Sequence, residues 1–187
     1  DTPILPDDIK ELTGKHLMDA AGVGVGELDI LDGSPPCSAF SMAGIVSHKS
    51  GGKHSDGWGS TKNYSDGKKV ENIEDLFFEF LRVANEIKPK VIIAENVAGL
   101  TMGEAKEYYN KIQNSFENIG YDVASKVLNS VKYGVPQTRT RVFFIAVRED
   151  VTANIGLTFI NIASIFPEGN GEVISLEEAF EGLKYDQ

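Results

Sequence analysis

The sequence predicts an α/β fold, a mostly parallel sheet flanked by helices, and three observations carry that expectation. Val91-Ile92-Ile93-Ala94 is a continuous apolar run of the kind a buried parallel strand shows. Just before it, Ile73, Leu76, Phe77, Phe80, Leu81, Ala84 and Ile87 recur at helical spacing, and Pro89 marks the stop. Along the whole chain the signals follow one another as strand, helix, strand, helix, strand, strand, an alternation that builds a sheet covered by helices.

The elements follow in order. Residues 8–21 read as a helix, with Ile9, Leu12 and Leu17 apolar and charged positions between them. Gly22-Val23-Gly24-Val25-Gly26 leads into a strand, whereas a nucleotide-binding glycine turn follows one, so it reads as a connecting loop. A short strand over 29–32 runs out into Gly33-Ser34-Pro35-Pro36-Cys37. Residues 42–70 differ in kind: they are rich in Gly, Ser, Lys and His, show little periodicity, and are expected to be mobile and functional. The 91–94 run ends on Glu95-Asn96-Val97. A second amphipathic helix is expected over 104–119, with Tyr108, Ile112 and Phe116 inward and Gly120 as its cap. Strands near 122–128 and 142–147 enclose the stretch Tyr133-Gly134-Val135-Pro136-Gln137-Thr138-Arg139-Thr140-Arg141. Beyond Asp150 the pattern weakens, and a short final helix over 176–183 is the one element read there.

Composition narrows the setting. A chain of 187 residues can bury one domain core. No apolar run approaches the roughly 20 residues a membrane span needs, and no signal-peptide pattern opens the chain. A single cysteine argues against a disulfide-stapled fold and for a reducing compartment, hence a cytoplasmic protein with no membrane partner. The net charge of −10 lacks the basic footprint of a domain that binds nucleic acid alone. Any phosphate contacts must come from another part of the protein, or from the few arginines gathered at one site. The chain starts at Asp1, not Met, as a fragment would.

Chemistry concentrates at strand ends. Cys37 is either a small buried filler or a nucleophile. Its place after a strand, on a backbone fixed by two prolines, suits a nucleophile. Glu95-Asn96-Val97 and Gln137-Thr138-Arg139-Thr140-Arg141 add a carboxyl group and guanidinium groups. Thiol, carboxyl and guanidinium are the set needed to attack an electron-poor ring. A thiolate adds to carbon only where the ring accepts charge, and a protonated carboxyl on a ring nitrogen with an arginine on a carbonyl drains it. The arginines also favour thiolate over thiol.

These three motifs, with the lead-in Asp8-Ile9-Lys10-Glu11-Leu12-Thr13-Gly14, resemble the catalytic core of the DNA (cytosine-5) methyltransferases over most of residues 5–150. The resemblance implies a partial Rossmann-like methyltransferase fold with S-adenosylmethionine as cofactor and double-stranded DNA as partner of the full-length protein. It implies that Cys37 adds to C6 of a flipped-out cytosine and that Glu95 binds the N3/N4 edge with a carboxyl raised by burial. Arg141 would hold the cytosine O2, with Arg139 organising the site or a phosphate. Asp8 would read the cofactor adenine, and Pro36 would line the cofactor site. Ser41, Asn96 and Gln137 would serve the substrate side, Asn96 also bracing the Pro-Pro-Cys turn. Residues 42–70 would be the catalytic loop that closes over the extruded base and excludes water.

The chain departs from the family pattern in places. Ser38 stands where glutamine usually follows the cysteine. The glycine-rich cofactor turn, the target-recognition region and the closing helical motif are not found, so the chain reads as a single partial catalytic domain, inactive alone. His48 and His54 lack metal-ligand spacing with one cysteine, so no metal site is expected. Trp58 is either a wedge into DNA or an anchor for its loop. A tRNA cytosine-5 methyltransferase, a cysteine hydrolase and an inactive binding module stay open as alternatives.

Overall fold

The structure, a computed structural model, describes residues 3–36, 62–63, 69–70, 75–103, 105–156 and 161–183. Helix α1 spans Gly14–Ala21, strand β1 Ile30–Gly33, and a two-stranded antiparallel ribbon pairs β2 (Lys62–Asn63) with β3 (Lys69–Val70). Helix α2 (Asp75–Ile87) leads into β4 (Val91–Val97), and α3 (Ala105–Asn118) leads into β5 (Tyr121–Asn129). Strand β6 (Thr140–Arg148), helix α4 (Glu149–Ile155) and helix α5 (Leu176–Ala179) follow, with 3-10 turns at Ala98–Thr101, Ser130–Tyr133 and Ile162–Ile165. Among the described residues no helix is long and apolar enough to cross a membrane.

The first helix is shorter than the expected 8–21. Asp8 accepts the Lys10 N–H on its side chain at 3.0 Å and the Glu11 and Leu12 N–H groups on its carbonyl, closing a turn instead of a helix. Thr13 then caps α1: its hydroxyl accepts from the His16 N–H, and the His16 ring accepts from the Thr13 N–H. Gly22, left-handed at φ 69°, ends the helix, so the glycine run is the connector it resembles. At the far end, α5 stops at Ala179 and turns replace the rest of the expected 176–183 helix.

The main sheet has strand order β1-β4-β6-β5. Strand β4 runs parallel to β1, while β6 runs antiparallel to both its neighbours, so three of the four strands share one direction. The reversed strand follows from its connection. The short 130–139 segment can join antiparallel neighbours, whereas a parallel pair needs a crossover of about a dozen residues or more.

Alternation along β4 and β6 sends the two faces to different neighbours. One face carries Ile92, Ala94, Val142, Phe144 and Ala146, all essentially inaccessible, under Phe77, Phe80, Ile112 and Phe116 of α2 and α3. Phe77 meets Phe144 edge to face, with ring centroids 5.8 Å apart. The other face is covered in part by Ile162 and Phe166, which pack with Ala124 and Val147 against Ile145, Phe143 and Leu128. Beyond Phe143 and Leu128 that face carries the charged residues described next.

Candidate active site

The parallel register of β1 with β4, which pairs Gly33 with Ala94, brings the carboxyl ends of both strands to one edge of the sheet. Gly33 is required there: a Cβ would sit 2.3 Å from the Phe80 ring. Ligand sites of open α/β sheets collect at such an edge. Asn96 points to the helix-covered face, 3% exposed, and its Nδ2 donates to the Pro35 carbonyl at 3.1 Å while its Oδ1 accepts the Val97 N–H at 2.8 Å. The amide thus ties the Pro-Pro turn to the end of β4. Cys37, Ser38, Ser41, His48, His54 and Trp58 lie outside the described residues, the chain being described up to Pro36.

One residue before Asn96, Glu95 points to the opposite, partly open face. The Arg141 Nε lies 2.8 Å from Glu95 Oε1, and the Arg139 Nη2 donates to the same oxygen at 3.5 Å. Glu95 Oε2 has no partner among the described residues. Arg141 is anchored a second time, its Nη1 donating to the Thr140 carbonyl at 2.9 Å. Glu95 and Arg141 are 20% and 25% exposed, against 51% for Arg139. At such exposure an ion pair is worth about 1 kcal/mol or less, so its consequence is orientation, not stability. Register makes the meeting possible: Arg141 faces Val97 and Phe143 faces Glu95, so Arg141 stands diagonally across from Glu95 on the same face.

Two residues that sequence reasoning passed over hold the arginines in place. Ser130 closes the base of the 130–139 loop: its hydroxyl donates to the Gln137 carbonyl and accepts the Arg139 N–H, while its own N–H donates to the Arg139 carbonyl at 3.0 Å. Asn129 accepts the Val131 N–H at 3.1 Å and donates to the Thr140 hydroxyl at 3.2 Å. Asn-Ser at the end of an apolar strand is a turn signal that could have pointed to both. Gln137 is exposed on this loop, and Gly134 turns it at φ 74°. Tyr133 ties the loop to the following segment by donating to the Pro167 carbonyl.

Asp8 stands apart from Glu95 and Arg141 in the described contacts. It is exposed, its Oδ1 is held by the Lys10 N–H, and its Oδ2 has no partner among the described residues. An ionised carboxylate oxygen can only accept, so on this fixed turn it suits an amino group of a ligand.

A solved structure of the same fold and a matching family model together define the class of protein. The fold is that of a methyltransferase: it superposes with TM-score 0.64 and 22% identity on a crystal structure assigned to a prophage-encoded DNA modification methyltransferase of E. coli, covering 96% of this chain and 42% of that one. The family model of the C-5 cytosine-specific DNA methylases matches residues 6–183, and the chain belongs to that family. Similar relatives include the Type II methyltransferase M.XorII of Xanthomonas oryzae pv. oryzae, 33% identical over 75% of this chain and 29% of its own length. Type II methyltransferase M.Eco47II of Escherichia coli is 34% identical over 85% of this chain and 32% of its own length. The chain therefore spans about a third of the length of these curated relatives.

Proposed function

We propose that this chain is the catalytic part of a DNA cytosine-5 methyltransferase of the restriction-modification type, acting in a bacterial or phage-infected cytoplasm. The observation that carries the reading is the Glu95–Arg141–Arg139 cluster, at the strand end beside the Asn96-bound Pro-Pro turn that leads to Cys37. A carboxyl group flanked by guanidinium groups suits the N3, N4 and O2 edge of a cytosine.

In this mechanism Cys37 adds through its sulfur to C6 of a cytosine turned out of the duplex. Glu95 keeps a proton at N3 and Arg141 holds O2, so charge entering the ring leaves through these groups and C5 becomes nucleophilic. S-adenosylmethionine, when bound, supplies the methyl group that C5 takes. Loss of the C5 proton and expulsion of the Cys37 thiolate then restore the aromatic ring. Asp8 binds the cofactor adenine and Pro36 lines its site; Arg139 and Gln137 meet the substrate from the 130–139 loop, and Ser41 from the segment after Cys37.

The test uses the full-length protein with radiolabelled S-adenosylmethionine, duplex DNA and, separately, tRNA. The reading predicts 5-methylcytosine in the DNA digest. Label in tRNA alone would favour the tRNA enzyme, and label in neither would favour an inactive binding module.

A further inference from the structure

Arg82 on α2 makes four hydrogen bonds with its guanidinium. Its Nε donates to Glu79 at 2.7 Å and its Nη1 to Glu86 at 2.8 Å. Its Nη2 reaches across to the lead-in segment and donates to the carbonyls of Ile9 and Leu12, at 2.9 and 2.8 Å. Glu86 completes the clamp with its other oxygen, which accepts the Gly14 N–H at 2.6 Å. Gly14 is packed so closely on Glu86 that a Cβ would lie 2.6 Å from the Glu86 Cβ.

The two carboxylates take Nε and Nη1, one each, and leave Nη2 to the two carbonyls. A lysine, with a single nitrogen on a flexible stem, cannot hold that many acceptors in a fixed plane. The pinned carbonyls belong to the turn that Asp8 closes, since Asp8 accepts the Glu11 and Leu12 N–H groups on its carbonyl and the Lys10 N–H on its side chain. Arg148 offers the contrast. It likewise donates to carbonyls, those of Gly26 and Lys88, but these join the β1 approach to the end of α2 and not the turn that Asp8 closes.

We propose that Arg82, held by Glu79 and Glu86, is a positioning residue for the cofactor: it fixes the 8–14 turn so that the free oxygen of Asp8 is presented to the adenine amino group. The inference rests on the reading of Asp8 given above. Arg82 touches no ligand and acts only through the turn.

A double-mutant cycle in the full-length protein tests this. Calorimetry measures the Kd for S-adenosylhomocysteine in wild type, Asp8→Ala, Arg82→Met and the double variant, with thermal melts to confirm folding. Asp8→Ala and Arg82→Met are each expected to weaken binding about tenfold, a usual size for residues in one hydrogen-bond network. The double variant is expected to be no weaker than Asp8→Ala alone. Arg82→Lys should recover part of the loss, and the KM for the cofactor should rise more than kcat falls. If Arg82→Met does not fold, Glu86→Gln takes its place in the cycle, with a smaller loss in the same direction. Additive losses, or no loss on changing Arg82, would overturn the positioning role while leaving Asp8 as a cofactor residue. An unchanged Kd in Asp8→Ala would overturn both.

Discussion

Asn96 and Glu95 are adjacent on β4 and point to opposite faces, so one strand end braces the Pro-Pro turn and presents a carboxyl group at once. Replacing Asn96 by Ala leaves the part-buried Pro35 carbonyl and Val97 N–H without their partner, at a cost of about 1 kcal/mol. The expected result is a lowered denaturation midpoint, read by chemical unfolding of the full-length protein. Glu95→Gln keeps the shape but removes the carboxyl group to which the proposed mechanism gives the ring proton. It is expected to lower kcat by about a hundredfold or more while DNA binding persists, checked by single-turnover methylation and a filter-binding assay. At this scale the types and order of Cys37, Glu95, Arg139 and Arg141 point to one chemistry in the sequence, and the structure brings Glu95, Arg139 and Arg141 together. The contacts between Glu95 and the arginines were not legible in the sequence, since they depend on the β4–β6 register, which no local pattern encodes.

Among the elements, the 130–139 loop depends on Ser130, whose side chain makes two of the three hydrogen bonds that close its base and whose backbone N–H makes the third. Ser130→Ala is expected to cost about 1 kcal/mol and to release Arg139 toward solvent. Hydrogen exchange over 131–139 should accelerate, while amides in β4 stay protected. Gly33→Ala is expected to be more damaging, about 1–3 kcal/mol, because the new methyl drives into Phe80 beneath the end of β1. The 91–94 run, the α2 spacing and the Gly120 cap read correctly from sequence because each rests on local pattern. The onset of α1 did not: Asp8 and Thr13 both compete for backbone N–H groups, and apolar spacing alone is blind to that competition. The segment after Asp150 was opaque because Ile162 and Phe166 form a small second core with residues far upstream.

For the molecule as a whole, the acidic charge places weight on the few cations that organise structure. Glu86 is held below the usual carboxylate range, first by the Gly14 N–H and then by Arg82. Its folded pKa lies below the unfolded one, so its contribution is present above the ordinary value of 4.5 and is lost as pH falls through the depressed one. Glu86→Gln should therefore flatten the acid limb of the stability curve below about pH 4.5, with little change in slope near neutrality, as followed by denaturation at a series of pH values. The larger claim is that the thiol after the Asn96-bound turn attacks a cytosine ring. The most direct measurement is covalent trapping on duplex DNA containing 5-fluorocytosine, whose fluorine blocks the proton loss that would release the enzyme. The full-length protein should form an adduct that survives denaturing electrophoresis and disappears in Cys37→Ser; an adduct that persists in Cys37→Ser would contradict the account.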